Sequence, residues 1–337
     1  MRCRQHRCLH YIAFLTLTTE LPVTDELMGV ILAAGKGTRM RPFSEHWPKP
    51  ILPVLNKPLM AYQLEMMAGM GIRKVVVVIG HLGHEVVRAL GDGSAYGVSI
   101  QYVEQEEMLG IAHAVSRLEA HVDRPFFLFL GDIFFVTENL DEMVTRFHNG
   151  KLGGVLAVKH EPDLEAMKRN FAVIAGEDGV VNRVVEKPRH PRTDLKGCGI
   201  YLFDQSFFDA VRRTPRTALR NEYEITDSIQ IFIDDGYKVE AAKVVKADMN
   251  VSYPKDLLEL NLLLLKQSGA SVFVGEGVEQ GADVDLLNSV AMAGAEIGAG
   301  ARLEECLLFP GAKVPRGRVR RRTIFTADSE IRCEPEA

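Results

Sequence analysis

The sequence predicts a doubly wound α/β fold with a mixed, mostly parallel sheet, followed by a short C-terminal parallel β-helix. From Met28 onward, continuous apolar runs typical of buried parallel strands alternate with helical segments that end at glycines. Beyond residue 267, apolar positions recur every six residues among glycines and alanines. We therefore expect a dispensable extension at 1–27, an α/β domain at 28–267 and a β-helical tail at 268–337.

The bulk composition sets limits on function. The chain has 337 residues, is 47% hydrophobic and 25% charged, and carries a formal net charge of −5. A mildly acidic chain without a basic tail does not suit a general nucleic-acid binder. No apolar run approaches the roughly 20 residues of a membrane span. Five scattered cysteines without zinc-like spacing predict reduced thiols and a cytoplasmic protein.

The N-terminal segment, MRCRQHRCLHYIAFLTLTTEL, places arginines before an apolar stretch, as a signal peptide does. It lacks an A-x-A-like cleavage site, and Met28 stands directly before the first well-formed strand. We interpret residues 1–27 as an extension or an over-long start, with a signal peptide as the alternative.

Strands and helices are expected in alternation through the first half of the α/β domain. The expected strands are MGVILAAG, KVVVVIG, VSIQYVEQ, PFFLFLGD and GGVLAVKHE, and the expected helices are LMAYQLEMMAGMGI, HEVVRALGDG, GIAHAVSRLEAHV and NLDEMVTRFHNG. Shorter strands between about 170 and 247 predict a mixed-sheet extension over a substrate, closed by the helix YPKDLLELNLLLLKQSG. Ligands of such sheets bind at the carboxyl ends of strands. The loop after the first strand and LGD at 130–132 both lie at such ends.

The tail carries the six-residue period. Val278, Val284 and Val290 are six apart and, after one slipped residue, the spacing returns at Ile297, Leu303 and Phe309. Some 60 residues allow about three coils of a β-helix, and the last part, RGRVRRRTIF, looks irregular. A glycine-rich loop with chance spacing is the alternative.

The stretch VILAAGKGTRMRPFSEHWPKPILPV, residues 30–54, has the features of a polyphosphate cradle. Gly35 and Gly37 permit positive φ and close backbone approach, and Thr38 adds a hydroxyl donor. Arg39 adds positive charge, and Lys49 lies on a backbone stiffened by two prolines. The stretch is neither a Walker A loop nor a complete dinucleotide-binding fingerprint.

With the motifs that follow it, this stretch resembles the signature of the sugar-1-phosphate nucleotidylyltransferases. LAAGKGTRMRP and PKPILPV are followed in order by EQEEMLGIAHAV, LGD, VVEKP, GCGIYLFD, NEYEITDSIQ and YPKDLLELN, over about residues 28–267. The chain looks most like the long-form glucose-1-phosphate thymidylyltransferases, which carry a left-handed β-helical tail. The resemblance implies a Rossmann-like nucleotide-diphospho-sugar transferase fold and an Mg²⁺-dependent attack of a sugar phosphate on the α-phosphorus of an NTP, releasing pyrophosphate.

The resemblance also implies roles for individual residues on the nucleotide side. Arg39 would bind the departing pyrophosphate, and Lys49 would neutralise the α-phosphate and the attacking oxygen. Gln105 and Gly110 would read the pyrimidine edge. The implied nucleotide-binding residues are Leu32, Ala33, Ala34, Gly35, Gly37, Thr38, Gln105 and Gly110. We interpret His113 as a helix residue that packs beneath the nucleotide loop, since a sugar phosphate is already ionised and needs no general base.

On the acceptor side, the resemblance implies that Asp132 binds Mg²⁺. The alternative is that Asp132 caps a helix. Glu186 would hold a sugar hydroxyl and Lys187 the sugar phosphate, unless the two form a mere strand-end salt bridge. Gly199 and Glu222 would complete the sugar pocket.

Two positions depart from the family pattern. Asn250 occupies the place of the second metal-binding aspartate, which predicts weaker Mg²⁺ binding, with Asp248 as a candidate substitute on the same strand. Ala172 replaces a sugar-contacting glycine and adds a methyl group there. Both departures concern the metal and acceptor side.

We therefore expect an enzyme that makes an NDP-sugar from a hexose 1-phosphate, with glucose 1-phosphate and dTTP or UTP favoured. One methyl group discriminates by only about 1–3 kcal/mol, so thymine and uracil remain open. The alternatives are another base with another sugar phosphate, and a catalytically weak paralogue that serves as a regulatory or structural subunit. An acyltransferase activity of the tail is disfavoured, because the tail is short and lacks an evident catalytic histidine. We expect the tail to pack subunits into a homo-oligomer, with no nucleic-acid or membrane partner.

Overall fold

The structure, a computed structural model, describes residues 26–218 and 221–333. Nearly all of the predicted extension at 1–27, with Cys3 and Cys8, lies outside the described residues, as do the last residues of the tail. The chain divides into two compact units, which meet in sequence at Leu257 and Leu258. Each unit is described by itself.

Among its described residues, the first unit contains thirteen strands and seven complete α-helices. The strands are β1 Met28–Ala33, β2 Pro53–Val54, β3 Lys57–Pro58, β4 Lys74–Ile79, β5 Ser99–Glu104, β6 Phe126–Leu130, β7 Ile133–Thr137, β8 Gly154–His160, β9 Phe171–Ala175, β10 Val181–Glu186, β11 Leu195–Phe203, β12 Val239–Ala242 and β13 Val245–Asn250. The helices are α1 Leu59–Gly69, α2 Gly83–Leu90, α3 Ile111–Ser116, α4 Asp141–Gly150, α5 Leu164–Met167, α6 Phe207–Arg213 and α7 Ile225–Asp234, and α8 Pro254–Gln267 runs on into the second unit.

A nine-stranded sheet forms the centre of this unit, in the order β10-β9-β11-β6-β1-β4-β5, with β8 paired to β11 and β12. Strands β6, β1, β4 and β5 run parallel, whereas β11 is antiparallel to β6, β8 and β9. The predicted mixed α/β fold with a parallel central sheet is confirmed.

The core lies on both faces of the sheet, which explains the continuous apolar runs. In β4, Val75 and Val77 belong to the cluster on one face, and Val76 and Val78 to the cluster on the other. Helices α1, α2 and α4 supply the first cluster with Leu64, Val86 and Met143, and helices α3, α6 and α7 supply the second with Val115, Phe207 and Ile229. A strand covered on both sides cannot alternate apolar with polar residues.

Two elements differ from the sequence-based expectation. Helix α3 ends at Ser116, because hydrogen bonds such as Leu118 N–H to the Val115 carbonyl (2.9 Å) replace the α-helical pattern with tighter turns. Strand β7, which was not predicted, follows Asp132 and pairs antiparallel with β13 in a separate two-stranded ribbon.

The described part of the second unit, up to residue 333, consists of the end of α8 and eleven short strands. They are β14 Val272–Val274, β15 Glu279–Gln280, β16 Asp285–Leu287, β17 Ser289–Ala291, β18 Glu296–Ile297, β19 Arg302–Glu304, β20 Leu307–Leu308, β21 Lys313–Val314, β22 Val319–Arg321, β23 Thr323–Phe325 and β24 Glu330–Arg332. They form three sheets, β14-β17-β20-β23-β24, β15-β18-β21 and β16-β19-β22. Every pair is parallel except β23 with β24.

Paired residues of the parallel strands stand 17 positions apart, as in Glu279 opposite Glu296 and Glu296 opposite Lys313. Of the residues in the six-residue period, Ile297 and Leu303 are buried within the unit, and Val278 and Val284 pack partly buried against them. The expectation that RGRVRRRTIF is irregular is wrong. It contains β22 and β23, and the buried Phe325 continues the interior.

None of the helices within residues 26–218 and 221–333 has the length and apolar character of a membrane span.

Candidate active site

The predicted phosphate loop follows β1 and leads into a 3₁₀ turn at Thr38–Met40. Gly37 has φ of 60°, and a Cβ added there would lie 2.9 Å from Cγ of Lys49. The glycine therefore provides the left-handed conformation and the space that Lys49 fills. Gly35 and Thr38 are exposed on the same loop, so their polar groups are accessible to a ligand.

Lys49 is the buried cation of the site. It begins a 3₁₀ turn directly after Pro48 and is 7% exposed. Its Nζ donates to Oδ2 of Asp132 at 3.2 Å. A buried ammonium needs a compensating charge or hydrogen-bonding oxygens, since desolvation is costly. Asp132 supplies that charge, and the exchange of one oxygen ligand for another would let Lys49 bind phosphate.

Asp132 lies in a turn that is held to β1. It follows β6 through Gly131, whose N–H donates to the carbonyl of Leu32 at 2.9 Å. A Cβ on Gly131 would lie 2.8 Å from that same oxygen, so a side chain there would break the approach. The carboxylate of Asp132 is 37% exposed, open enough to reach a ligand.

Gln63 supports the same turn from beneath, a role that sequence reasoning missed. Its side chain is buried in α1, and Nε2 donates to the carbonyls of Leu130 and Ile133, both at 2.8 Å. These two residues flank Gly131 and Asp132. The available signal was a single glutamine within the apolar helix LMAYQLEMM, because a buried amide is retained where it has partners.

Asn250 lies beside Asp132 across the β7–β13 ribbon. It is paired with Ile133, and the N–H of Val251 donates to the Asp132 carbonyl at 3.2 Å. The exposed Asn250 side chain accepts from Oγ of Ser252 through Oδ1 at 3.1 Å. The described residues contain no group of three His, Cys, Asp or Glu side chains able to hold a metal.

This donor set fits Mg²⁺. The ion binds hard oxygen ligands, takes one or two carboxylates from the protein, and completes its coordination with water and substrate phosphates. Asp132 offers a carboxylate and Asn250 an amide oxygen on adjoining backbone segments. The pair lacks the second carboxylate that would strengthen the site.

Asp248 is engaged elsewhere and is not a free substitute for that carboxylate. Its side chain is 6% exposed, 2.6 Å from Nζ of Lys196 and 3.0 Å from Nζ of Lys159. Lys159 also pairs with Glu161 at 3.2 Å. Burial alone would lower the pKa of Lys159, but its contacts with Asp248 and Glu161 outweigh that effect and raise this pKa. Three strands are thus joined by a buried ionic cluster.

The predicted base-reading residues lie at the next strand end. Gln105 follows β5, its N–H donates to the Ile79 carbonyl at 2.8 Å, and its buried side chain contacts Nδ1 of His113 through Nε2 at 2.9 Å. Gly110, with φ of 110°, precedes α3. An added Cβ would lie 2.5 Å from the carbonyl oxygen of Tyr223, so only glycine fits.

Glu222 is brought to the same place by the chain around Tyr223. Tyr223 N–H donates to the Leu109 carbonyl at 2.7 Å, and its own carbonyl accepts from Ala112 N–H at 2.9 Å. A Cβ added to Gly110 would lie 3.1 Å from Cβ of Glu222. Glu222, predicted for the sugar pocket, therefore lies next to Gly110, predicted to read the base.

The remaining acceptor-side residues lie on β10 and β11. Glu186 ends β10, and Lys187 follows with φ of 44°, its Nζ 3.7 Å from Oε1 of Glu186. Lys187 is exposed, and its N–H donates to the Asn170 carbonyl at 2.9 Å. Both residues lie at the end of β10, and the Lys187 side chain is exposed there.

Gly199 lies within the register shift of β11 at φ of 77°. A Cβ there would lie 2.9 Å from Cδ1 of Leu130 and 3.1 Å from Cδ1 of Ile133. The glycine therefore packs against the two residues that flank the Asp132 turn. Ala172, the other departure from the family pattern, is buried in β9 opposite Val185.

Arg39 reaches the segment that follows Asn250. Its Cζ lies 5.4 Å from the centroid of the Tyr253 ring. The structure thus brings Lys49, Asp132, Asn250 and Arg39 to neighbouring segments, and Gln105, Gly110 and Glu222 to another. Cationic side chains, a carboxylate and the exposed backbone of the glycine loop thus lie at the ends of neighbouring strands.

Comparisons with known proteins agree with a site that binds phosphates. The family model described as Nucleotidyl transferase matches residues 28–267. A glucose-1-phosphate thymidylyltransferase of Streptomyces antibioticus is 34% identical over 307 residues, covering 86% of this chain and 82% of the relative. The UTP–glucose-1-phosphate uridylyltransferase AglF of Haloferax volcanii is 33% identical over 230 residues, covering 68% of this chain and 93% of AglF.

A further relative is longer than the matched region. The low-salt glycan biosynthesis nucleotidyltransferase Agl11 of Haloferax volcanii is 36% identical over 242 residues, covering 71% of this chain and 66% of Agl11. The fold matches a crystal structure of UDP-glucose pyrophosphorylase complexed with UDP-glucose, with a TM-score of 0.62, 23% identity, and coverage of 71% of this chain and 98% of that one. The chain belongs to the nucleotidyl transferase family.

Proposed function

We propose that this protein transfers a nucleotidyl group from UTP or dTTP to a hexose 1-phosphate, glucose 1-phosphate first among them, and releases pyrophosphate. The activities for which the thymidylyltransferase and uridylyltransferase relatives are named support this choice. The single observation that carries it is the 3.2 Å contact between the buried Lys49 and Asp132 beside a glycine loop. The contact supports the proposal because a reaction between two polyanions requires a positioned cation and a carboxylate that could bind a metal ion.

The reaction needs charge neutralisation and alignment more than proton transfer. A phosphate oxygen of the sugar phosphate bonds to the α-phosphorus, and the bond from that phosphorus to the bridging oxygen of the β-phosphate breaks, so that pyrophosphate leaves with the electron pair. Lys49 would neutralise the α-phosphate and the attacking oxygen. Arg39 would hold the departing pyrophosphate, and the backbone from Leu32 to Gly37 would bind the triphosphate.

Asp132 and Asn250 would hold Mg²⁺. When bound, the ion supplies positive charge to the phosphate oxygens. The protein's own part is to keep the two oxygen donors on adjoining segments, through the Val251 N–H to Asp132 carbonyl bond, and to keep Lys49 next to them.

The two substrates would approach from different strand ends. Gln105 and Gly110 would bind the pyrimidine edge, Lys187 the sugar phosphate, and Glu186 a sugar hydroxyl, with Gly199 and Glu222 completing the sugar pocket. The exposure of Lys187 and the glycine-dependent close approach at Gly110 support these assignments.

A screen of substrate pairs tests the proposal. Purified protein with Mg²⁺ would be assayed for pyrophosphate release over UTP, dTTP, CTP, GTP and ATP, each with glucose, galactose, mannose and N-acetylglucosamine 1-phosphate. Turnover should be highest with UTP or dTTP and glucose 1-phosphate. Absence of turnover with every pair would overturn the proposal. Because Asn250 lacks a charge, the weak paralogue that serves as a regulatory subunit would then be the better account.

We also propose that the tail is a short parallel β-helix that joins subunits into a homo-oligomer. Its three parallel sheets and 17-residue pairing interval support the first part. Leu287 and Val319, 50% and 62% exposed on strands β16 and β22, support the second, because they leave apolar surface open. Light scattering should show an oligomer that Leu287→Glu with Val319→Glu dissociates. A monomeric parent protein would contradict this proposal.

The division into an N-terminal extension, a catalytic domain at 28–267 and a tail at 268–337 is likewise proposed. We place the reaction in the cytoplasm, in keeping with the buried, unpaired thiols of Cys198 and Cys306. Purification of a chain that starts at Met28 tests the first boundary: equal specific activity is expected, and an inactive or insoluble product would contradict it.

A further inference from the structure

The Arg39 side chain has one interaction partner among the described residues, the aromatic ring of Tyr253. Its Cζ lies 5.4 Å from the centroid of that ring, within the range of a cation–π contact. Arg39 is exposed, and no carboxylate in the described part of the chain forms an ion pair with it. The ring is therefore what this part of the chain provides to hold the guanidinium.

An aromatic ring suits a phosphate-binding arginine better than a carboxylate does. A carboxylate would take up two of the five N–H donors of the guanidinium and offset its positive charge. An aromatic face attracts the cation through its quadrupole and leaves the N–H edge of the planar group unoccupied. Arg39 is thus oriented while its charge and its donors stay available for an anion.

The backbone of Tyr253 is fixed at the start of α8. Its N–H donates to Oδ2 of Asp256 at 2.7 Å, and its carbonyl accepts from the Asp256 N–H at 3.0 Å. The same Oδ2 accepts from the N–H of Ser252 at 2.9 Å. Because Tyr253 is 44% exposed, these backbone hydrogen bonds, and not burial, set where its ring stands.

The segment that carries Tyr253 is also bonded to the Asp132 turn. The N–H of Val251, two residues earlier, donates to the Asp132 carbonyl at 3.2 Å. Lys255 adds a second cation at the ring, with Nζ 5.9 Å from the same centroid. Two cations beside one ring favour the binding of an anion there, since like charges repel each other until an opposite charge arrives.

We propose that Tyr253 is a positioning residue for the leaving group: its ring holds the Arg39 guanidinium in the orientation that binds the departing pyrophosphate. The inference deepens the proposed function and rests on its assignment of Arg39 to pyrophosphate. Tyr253 acts through the arginine and does not itself need to contact a substrate. It also joins the leaving-group cation to the backbone segment that adjoins Asp132.

The test measures the Kd for pyrophosphate by calorimetry, with Mg²⁺, in the full chain and its variants. Tyr253→Leu removes the aromatic face but keeps apolar bulk, whereas Tyr253→Phe keeps the ring; Tyr253→Met replaces the leucine variant if that protein does not fold. Each is also made in an Arg39→Gln background, which completes a double-mutant cycle. Arg41→Gln is the matched control, because it removes a neighbouring exposed cation that pairs with Glu45 at 3.9 Å. Circular dichroism shows whether each variant is folded.

We expect the Kd for pyrophosphate to rise about fivefold in Tyr253→Leu, which corresponds to about 1 kcal/mol. Tyr253→Phe should stay within about twofold of the parent, because the ring and its quadrupole remain. Arg41→Gln should also stay within about twofold, since solvent and salt screen an exposed charge. In the Arg39→Gln background, Tyr253→Leu should change the Kd less than about twofold, since the cation that the ring holds is gone. In steady-state kinetics, KM for the NTP should follow the same order, with KM for glucose 1-phosphate unchanged.

A folded Tyr253→Leu protein that binds pyrophosphate as tightly as the parent would overturn the inference. An equal loss of affinity in the Arg39→Gln background would overturn it as well, because Tyr253 would then act without the arginine. A parent protein with no affinity for pyrophosphate is a third contradicting result. Lack of turnover in the parent with every substrate pair would overturn the proposed function, while the Kd values would still decide the role of Tyr253.

Discussion

Lys49 and Asp132 are 83 residues apart in sequence, yet Nζ of the lysine lies 3.2 Å from Oδ2 of the aspartate. The lysine is buried, whereas the aspartate side chain is 37% exposed. The pair therefore presents its carboxylate toward solvent and keeps its cation beneath. To reach an arriving phosphate, the Lys49 ammonium would exchange the Asp132 oxygen for a phosphate oxygen, and the cation is already positioned and partly desolvated for that exchange.

Lys49→Ala should lower kcat/KM for pyrophosphate release by about 10²–10³-fold, the loss typical of removing one preorganised charge-stabilising donor. Lys57→Ala is the control, because Lys57 pairs with Glu65 at 2.7 Å near the surface, and it should change the rate less than about threefold. Steady-state kinetics with saturating Mg²⁺ would measure both. A loss below tenfold for Lys49→Ala would mean that the lysine has been misassigned.

Asn250→Asp should strengthen Mg²⁺ binding, since it adds a second carboxylate beside Asp132. We expect the Mg²⁺ concentration for half-maximal activity to fall by about tenfold, which corresponds to about 1.4 kcal/mol. Activity measured over a Mg²⁺ titration checks this. Ser252→Ala, which removes the hydroxyl that donates to Asn250, serves as a neighbouring control and should leave the requirement nearly unchanged. An identical Mg²⁺ curve for Asn250→Asp would contradict the assignment of Asn250 to the metal.

Gln63→Leu should affect both stability and turnover. It leaves the carbonyls of Leu130 and Ile133 without their donor, at a cost of about 1–3 kcal/mol for such an unsatisfied buried group. Because the Asp132 turn loosens, kcat should fall while KM for the nucleotide changes little. Urea unfolding and steady-state kinetics would measure these effects.

Gln205→Leu is the comparison for Gln63→Leu. Gln205 donates to one carbonyl, that of Val122, at 3.3 Å. It should lower stability slightly and leave kcat unchanged. Equal kcat in the Gln63→Leu and parent proteins would show that Gln63 only supports the fold.

Asp248→Asn should destabilise the protein strongly, because Lys196 would lose the buried charge that compensates it. Breaking a buried pair by removing one partner costs about 3–5 kcal/mol. The free energy of unfolding from urea titration measures this. Glu138→Gln, which removes an exposed pair with Lys246 (2.9 Å), should cost less than about 1 kcal/mol. Near-parent stability of Asp248→Asn would favour a functional role for this carboxylate.

The sequence was most informative where structure depends on neighbours along the chain. The apolar runs of β1, β4 and β6 predicted buried strands, because a strand covered on both faces needs apolar residues at every position. The glycine loop, LGD and EKP pointed to the family without reference to the fold, since phosphate-binding chemistry is carried by short, local segments.

Other features could not be predicted because their partners lie far away in sequence. Strand β7 follows the turn at Gly131 and Asp132, and it is a strand because β13, more than a hundred residues later, pairs with it. From the sequence, Asp248 is a candidate metal ligand. In the fold it pairs with Lys159 of β8 and Lys196 of β11. Gln63 looked like one polar residue in an apolar helix.

The sequence by itself determined the family, the parallel centre of the sheet and the identity of the charged groups, because these follow from local patterns of residues. The tertiary structure decided which polar groups meet: Lys49 pairs with Asp132, Asp248 pairs with Lys159 and Lys196, and the Gln105 amide contacts His113. The physical reason is that such contacts join distant strands and loops at distances of about 3 Å, and only the packed core sets those distances.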